Sequence, residues 1–136
     1  MKKALGIDLG DARVGVSISD DLGMLAHPLE TIPAQSTDVV KRILALAAER
    51  SVAIIVVGMP RNMNGTLGPA ADKAKAFIEA LRRETTISVV SWDERLSTVS
   101  AQRALQEAGR NAKQQRAVID QVAAQIILQS WLDSQT

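Results

Sequence analysis

The segment Val52-Ala53-Ile54-Ile55-Val56-Val57-Gly58 constrains the fold more than any other, because it is an unbroken apolar run rich in β-branched residues. A strand with no polar face has to be covered on both sides, as a central strand is in a parallel sheet with helices on each face. The flanking segments supply such helices. Val39, Val40, Ile43, Leu44 and Ala47 recur at helical spacing with Lys41, Arg42 and Glu49 outside the stripe. Gly68-Pro69 opens a second helix with proline at its first position, lined by Ala70, Ala74, Phe77, Ile78 and Leu81.

The chain begins differently. Segments 5–9 and 14–19 read as hairpin strands about the turn Gly10-Asp11-Ala12-Arg13, and a third extended piece over 24–32 follows Asp20-Asp21-Leu22-Gly23. Pro28 in that piece predicts an edge strand or a bulge, since proline donates nothing to the ladder. Residues 86–92 form a fifth strand. The last quarter predicts a helix over 97–108, capped by Ser97 or Thr98 and ended by Gly109, and another over 117–132 burying Val118, Val122, Ile126 and Trp131. The order β-β-β-α-β-α-β-α-α predicts one α/β domain over 1–136. Its five-stranded mixed sheet has three antiparallel strands, then right-handed βαβ crossovers, with helices on both faces.

Composition narrows the function classes. The 136 residues contain no cysteine, which excludes disulfide scaffolds, thiolate zinc sites and cysteine nucleophiles. Asp8 interrupts the first apolar run before a secretory segment is complete, and no run approaches the roughly 20 residues of a membrane helix, so a cytoplasmic setting is expected. Phe77, Trp92 and Trp131 are too few for a base-stacking platform, so nucleic acid would be held through its backbone charge. With a net charge of +1, that charge has to be met by local patches. Gly10-Asp11-Ala12-Arg13-Val14-Gly15 has the glycine spacing of a phosphate-binding loop, yet in the Val16-Ser17 that follows Val16 stands where the lysine is required, so nucleotide binding by that route fails. Actin-like ATPases carry a similar first hairpin but need two such domains.

Acids stand out at three places in the chain. Asp8 lies near the end of the first strand, between Gly6 and Gly10, which leave the backbone open to close approach; Asp93 and Glu94 follow the last strand; Asp120 opens the final helix. If the first strand is central, the ends of strands one, four and five meet at one rim, bringing Asp8 and an acid of the 93–94 pair together, with Asp120 added from the helix. Alternation along 91–94 does not say which of Asp93 and Glu94 faces the others. Unaccompanied carboxylates repel by about 4 kcal/mol per pair at ~4 Å and an effective dielectric near ~20. A divalent ion reverses that sign. Carboxylate and water oxygens suit Mg²⁺ or Mn²⁺, and the corresponding reaction is metal-assisted phosphodiester hydrolysis.

Four motifs carry a resemblance: Gly6-Ile7-Asp8-Leu9-Gly10, the loop from Val56 through Pro60, Asn62 and Gly65 to Thr66, Asp93-Glu94-Arg95-Leu96-Ser97-Thr98, and Ile119-Asp120-Gln121-Val122-Ala123-Ala124. In order and spacing they resemble the YqgF/RuvX family of the RNase H-like superfamily over nearly the whole chain. Ala12 stands where that family commonly has a basic residue, and Asn64 where it commonly has Asp. The resemblance implies an RNase H-like nuclease with Asp8, Glu94 and Asp120 as catalytic acids holding two metal ions, and it selects Glu94 over Asp93. It implies maturation of the 5′ end of pre-16S rRNA, on a ribosomal precursor particle. The alternatives are resolution of branched DNA, which needs a homodimer where RNA trimming needs only a monomer, and non-catalytic rRNA binding. Candidate phosphate contacts are Arg13, Arg61 and Asn62 in the 60–68 loop, Arg95, and the acid-free run containing Arg110, Lys113 and Arg116.

Overall fold

The computed structural model describes residues 2–60, 67–94 and 112–135, and for 112–119 the backbone only. The helix expected over 97–108 and the side chains of Arg61, Asn62, Arg95, Arg110, Lys113 and Arg116 lie outside the described residues. The elements are β1 (Lys3–Leu9), β2 (Arg13–Ser19), β3 (Ala26–Pro33), α1 (Val39–Glu49), β4 (Val52–Met59), α2 (Pro69–Glu84), β5 (Ser88–Asp93) and α3 (Ala112–Ser134).

They build the expected five-stranded mixed sheet, in the order β3-β2-β1-β4-β5. β2 is antiparallel to β1 and β3, whereas β1, β4 and β5 run parallel. Pro28 sits in an edge strand that also carries a bulge: Val16 pairs with Glu30 and Ser17 with Pro28, leaving Leu29 without an opposite residue.

Strand alternation sorts side chains between two cores. Leu5, Ile7, Val14, Val16, Ile55 and Val57 are buried on the face covered by α1 and α2, with Ile43, Leu46 and Leu81 from those helices. On the opposite face Ala4 and Val56 pack under Ile127, Leu128 and Leu132 of α3. Asp38 caps α1 by accepting the Lys41 N–H at 3.2 Å, and Gly68-Pro69 starts α2 as expected. Among the described residues no helix is long and apolar enough to cross a membrane.

α3 departs from expectation in two ways. It begins at Ala112 rather than 117, and its buried side chains are Ala124, Ile127, Leu128 and Leu132, while Val122, Ile126 and Trp131 are only partly buried. The side chain of Val118 lies outside the described residues. The physical reason is a glutamine stripe with a structural task. Gln129 Oε1 accepts the buried Ala26 N–H at 2.9 Å, Gln125 Nε2 donates to the Ala26 carbonyl at 3.0 Å, and Gln121 Nε2 donates to Thr31 Oγ1 at 3.1 Å. These bonds turn the polar stripe onto the exposed edge of β3, which covers that edge and sets the helix rotation.

Candidate active site

The face beneath α3 is cut back to admit the helix backbone. Gly6 and Gly15 lie on this face of β1 and β2, as the pairing of Gly6 with Ser17 and of Asp8 with Gly15 requires. A Cβ at Gly6 would come within 2.6 Å of Leu128 Cβ and 2.9 Å of the Ala124 carbonyl oxygen, and one at Gly15 would overlap the Asp120 carbonyl and lie 3.2 Å from its Cα. Only hydrogen fits at that separation. The Ser17 hydroxyl donates to the Ala124 carbonyl at 2.8 Å, pinning the helix between the two glycines. The close approach that the first motif allows is thus used, at Gly6, by a helix of the same chain.

This seating places the acids. β1, β4 and β5 are parallel, so their C-terminal ends form one rim, and Asp8 is the penultimate residue of β1. Glu94 follows β5 directly. Trp92 pairs with Gly58, and alternation puts Trp92 and Glu94 on the α3 face, with Ser91 and Asp93 on the other. A Cβ at Gly58 would stand 2.7 Å from Glu94 Oε1, so the carboxyl lies across that glycine toward β1.

There Asp8 and Glu94 share a hydrogen bond. Burial, and then the charge of Asp120, raise Asp8 from 3.8 to about 6, with the hydrogen bond from Glu94 opposing them. Burial, then the charge of Asp8, their shared hydrogen bond and the charge of Asp93 raise Glu94 from 4.5 to about 7. Two desolvated carboxyls in contact cannot both ionise cheaply. Both are raised, so the pair retains a proton well above the pH at which free carboxyls release theirs.

Asp120 is the ninth residue of α3 rather than its first, so its position owes nothing to the start of the helix. Its charge acts on Asp8, but Arg13 Nε donates to its Oδ2 at 2.7 Å. The acids are therefore accompanied by a cation, contrary to the expectation of three unaccompanied carboxylates, and Arg13 faces Asp120 as well as solvent. Among the described residues no three acidic or histidine side chains are grouped closely enough to hold a metal ion. The Asp8–Glu94 pair does suit a hard divalent cation: both donors are carboxylate oxygen, and such an ion would replace their shared proton and cancel their repulsion. Nearby, Lys73 of α2 pairs with Asp11 in the β1–β2 turn and holds that turn beside the rim. Sequence reasoning did not single out Gly15, Ser17 or Lys73. Gly15 was legible only as the close of a glycine-spaced turn, and Ser17 only as a hydroxyl inside an apolar strand.

The chain is similar to known proteins over nearly its whole length. A relative from Geobacillus kaustophilus (strain HTA426), described as "Putative pre-16S rRNA nuclease", is 49% identical over 135 residues, covering 97% of this chain and 98% of its own. Relatives of the same description are 47% identical in Halothermothrix orenii, over 98% of this chain and 96% of theirs, and 51% identical in Mycobacterium sp. (strain KMS), over 96% and 79%. Among solved structures, Thermus thermophilus RuvC in complex with a Holliday junction substrate matches with a TM-score of 0.63 at 14% identity, over 100% of this chain and 98% of that one. A second Thermus thermophilus RuvC structure matches at 0.59, with 15% identity, over 98% of this chain and 95% of that one. These structures share the RNase H-like fold. The model of the family described as "RuvX: Holliday junction resolvase" matches residues 2–134, and with that match the chain belongs to the RuvX family.

Proposed function

We propose that this protein is a cytoplasmic, metal-dependent nuclease acting as a single domain, and that it hydrolyses phosphodiester bonds at the 5′ end of pre-16S rRNA. The observation that carries the proposal is the buried Asp8–Glu94 carboxyl pair at the C-terminal rim of β1 and β5, with Asp120 acting on it from α3. Burying two acids in contact costs stability, a cost retained where the pair has chemical work. The naming of relatives at 47–51% identity supports the substrate.

Asp8 and Glu94 would hold Mg²⁺ or Mn²⁺ directly. Asp120, which Arg13 engages and which is not grouped closely with them, would complete the ligand set for two ions per site only by shifting toward the pair. When bound, these ions supply a water nucleophile at neutral pH and charge neutralisation at the departing 3′ oxygen. The side chains' own part is to orient and to manage protons. Asp8, nearest the centre of the sheet, presents its carboxylate to both neighbours. Glu94, whose carboxyl is held partly protonated by burial and by Asp8, would serve as a ligand in its ionised form. Arg13 keeps Asp120 turned toward the rim. Arg61, Asn62, Arg95, Arg110, Lys113 and Arg116 are assigned to the nucleic-acid backbone, and hydrolysis leaves a 5′ phosphate.

A second reading, resolution of four-way DNA junctions, is favoured by the family description and the RuvC likeness of the fold. Incubating the protein with precursor 16S rRNA and a four-way junction in parallel, with Mg²⁺, Mn²⁺ or chelator, separates the two. Trimming of the RNA alone, lost on chelation, is the expected result. Cutting of the junction alone selects the second reading, and RNA binding without cutting under any metal leaves a non-catalytic assembly factor.

A further inference from the structure

Arg13 begins β2 on the same face as Gly15, so one strand meets Asp120 twice, at its backbone through Gly15 and at its carboxylate through Arg13. The carboxylate contact uses Nε alone. Among the described residues Nη1 and Nη2 of Arg13 make no hydrogen bond, and its side chain is 38% exposed where that of Asp120 is 19%. A guanidinium holds five N–H donors in a rigid plane, so one edge can be engaged inward while another faces solvent. Resting on the nuclease reading above, we propose that Arg13 is a two-sided positioning residue. It holds Asp120 through Nε and takes a phosphate of the nucleic-acid backbone on its Nη edge, beside Asp8 and Glu94. A polyanion approaching the site is repelled by its ionised carboxylates, and Arg13 offsets that repulsion at the acid it already touches. A lysine ammonium is a point charge on a flexible stem and does not serve both partners in one geometry.

The test uses the full chain as wild type, Arg13→Gln, Arg13→Lys and Asp8→Asn. Binding of a labelled single-stranded RNA oligonucleotide is followed by anisotropy in EDTA across a KCl series, and kcat is measured on precursor rRNA with Mg²⁺. Arg13→Gln is expected to weaken binding about tenfold and to reduce the slope of log affinity against log salt by about 0.7, one phosphate's worth. Arg13→Lys should restore that slope without restoring kcat. An unchanged slope in Arg13→Gln overturns the phosphate contact, and full recovery of kcat by Arg13→Lys overturns the two-sided geometry. Wild-type cutting that Asp8→Asn abolishes while both Arg13 variants behave as wild type removes only the assignment to Arg13. Cutting unaffected by Asp8→Asn, or absent from the wild type, sinks the nuclease reading and this proposal with it.

Discussion

Replacing Gly15 by alanine would drive a methyl group into the Asp120 carbonyl, a backbone atom that cannot rotate away. Ordinary contact for a Cβ begins at 3.4 Å, and the built position also lies only 3.2 Å from the Asp120 Cα, so the α3 backbone has to retreat there. A retreat of about 1 Å is the least that relieves overlap with the carbonyl in a close-packed interior. The same movement carries the Ser17–Ala124 hydrogen bond from its 2.8 Å beyond bonding range. Overpacking of this kind costs about 1–3 kcal/mol, and the lost bond about 1 kcal/mol more, so Gly15→Ala should destabilise the protein by about 3 kcal/mol. Displacement of the Asp120 carboxylate relative to Asp8 by a similar distance should lower kcat about 100-fold in the molecules that remain folded. Urea unfolding gives the first quantity. Single-turnover cleavage, at a temperature where circular dichroism shows full folding, gives the second. A variant with wild-type stability and wild-type kcat would refute the seating of α3 on β2, and with it the account of how Asp120 reaches the rim.

Asp8→Asn should abolish cleavage yet stabilise the metal-free protein at pH 8. The folded state keeps protons on Asp8 and Glu94 up to about 6 and about 7, while the unfolded chain releases them at 3.8 and 4.5. Their contribution is complete below the unfolded values and is lost as pH rises through 6 to 7. Metal-free wild type should therefore lose about 2 kcal/mol between pH 5 and 8, a figure reduced for the shared hydrogen bond and the partial exposure of Glu94. Equal pH slopes for the two proteins in urea melts with EDTA would contradict this origin of the raised values. Ser51, which ends the α1–β4 connection at φ 56°, occupies the left-handed region. Ser51→Gly should add about 0.5–1 kcal/mol without changing kcat, and a thermal melt showing no gain would count against that strain. Gln129→Ala strips the partner from the buried Ala26 N–H and should cost about 2 kcal/mol. Cleavage by the folded protein should persist, because Gln129 lies on α3 away from the rim.

Most of the sheet could be read directly from residue order. The apolar run of β4 can only be a covered strand, the stripes of α1 and α2 repeat at helical spacing, and Pro28 allows only an edge or a bulge. α3 was harder. It is apolar on more than one side, so periodicity offered several faces, and the one that is buried follows from Gly6, Gly15 and the glutamine contacts with β3. The same limit applied to the acids. Asp8 stood out as a carboxylate on an apolar strand, but Asp93 and Glu94 are adjacent and alternate, and only the pairing of β5 with β4 assigns one to each face.

By itself, then, the sequence determined the layers: local periodicity and turn chemistry act over a few residues, and they specify strands, helices and their order whatever lies across the molecule. Tertiary structure decided the company each charge keeps. Asp8 and Glu94 share a proton, while Asp120, 107 residues along the chain from Arg13, lies against its guanidinium. Such partnerships depend on helix rotation and strand register, quantities that no local pattern contains, because they are set by which backbone can approach which glycine.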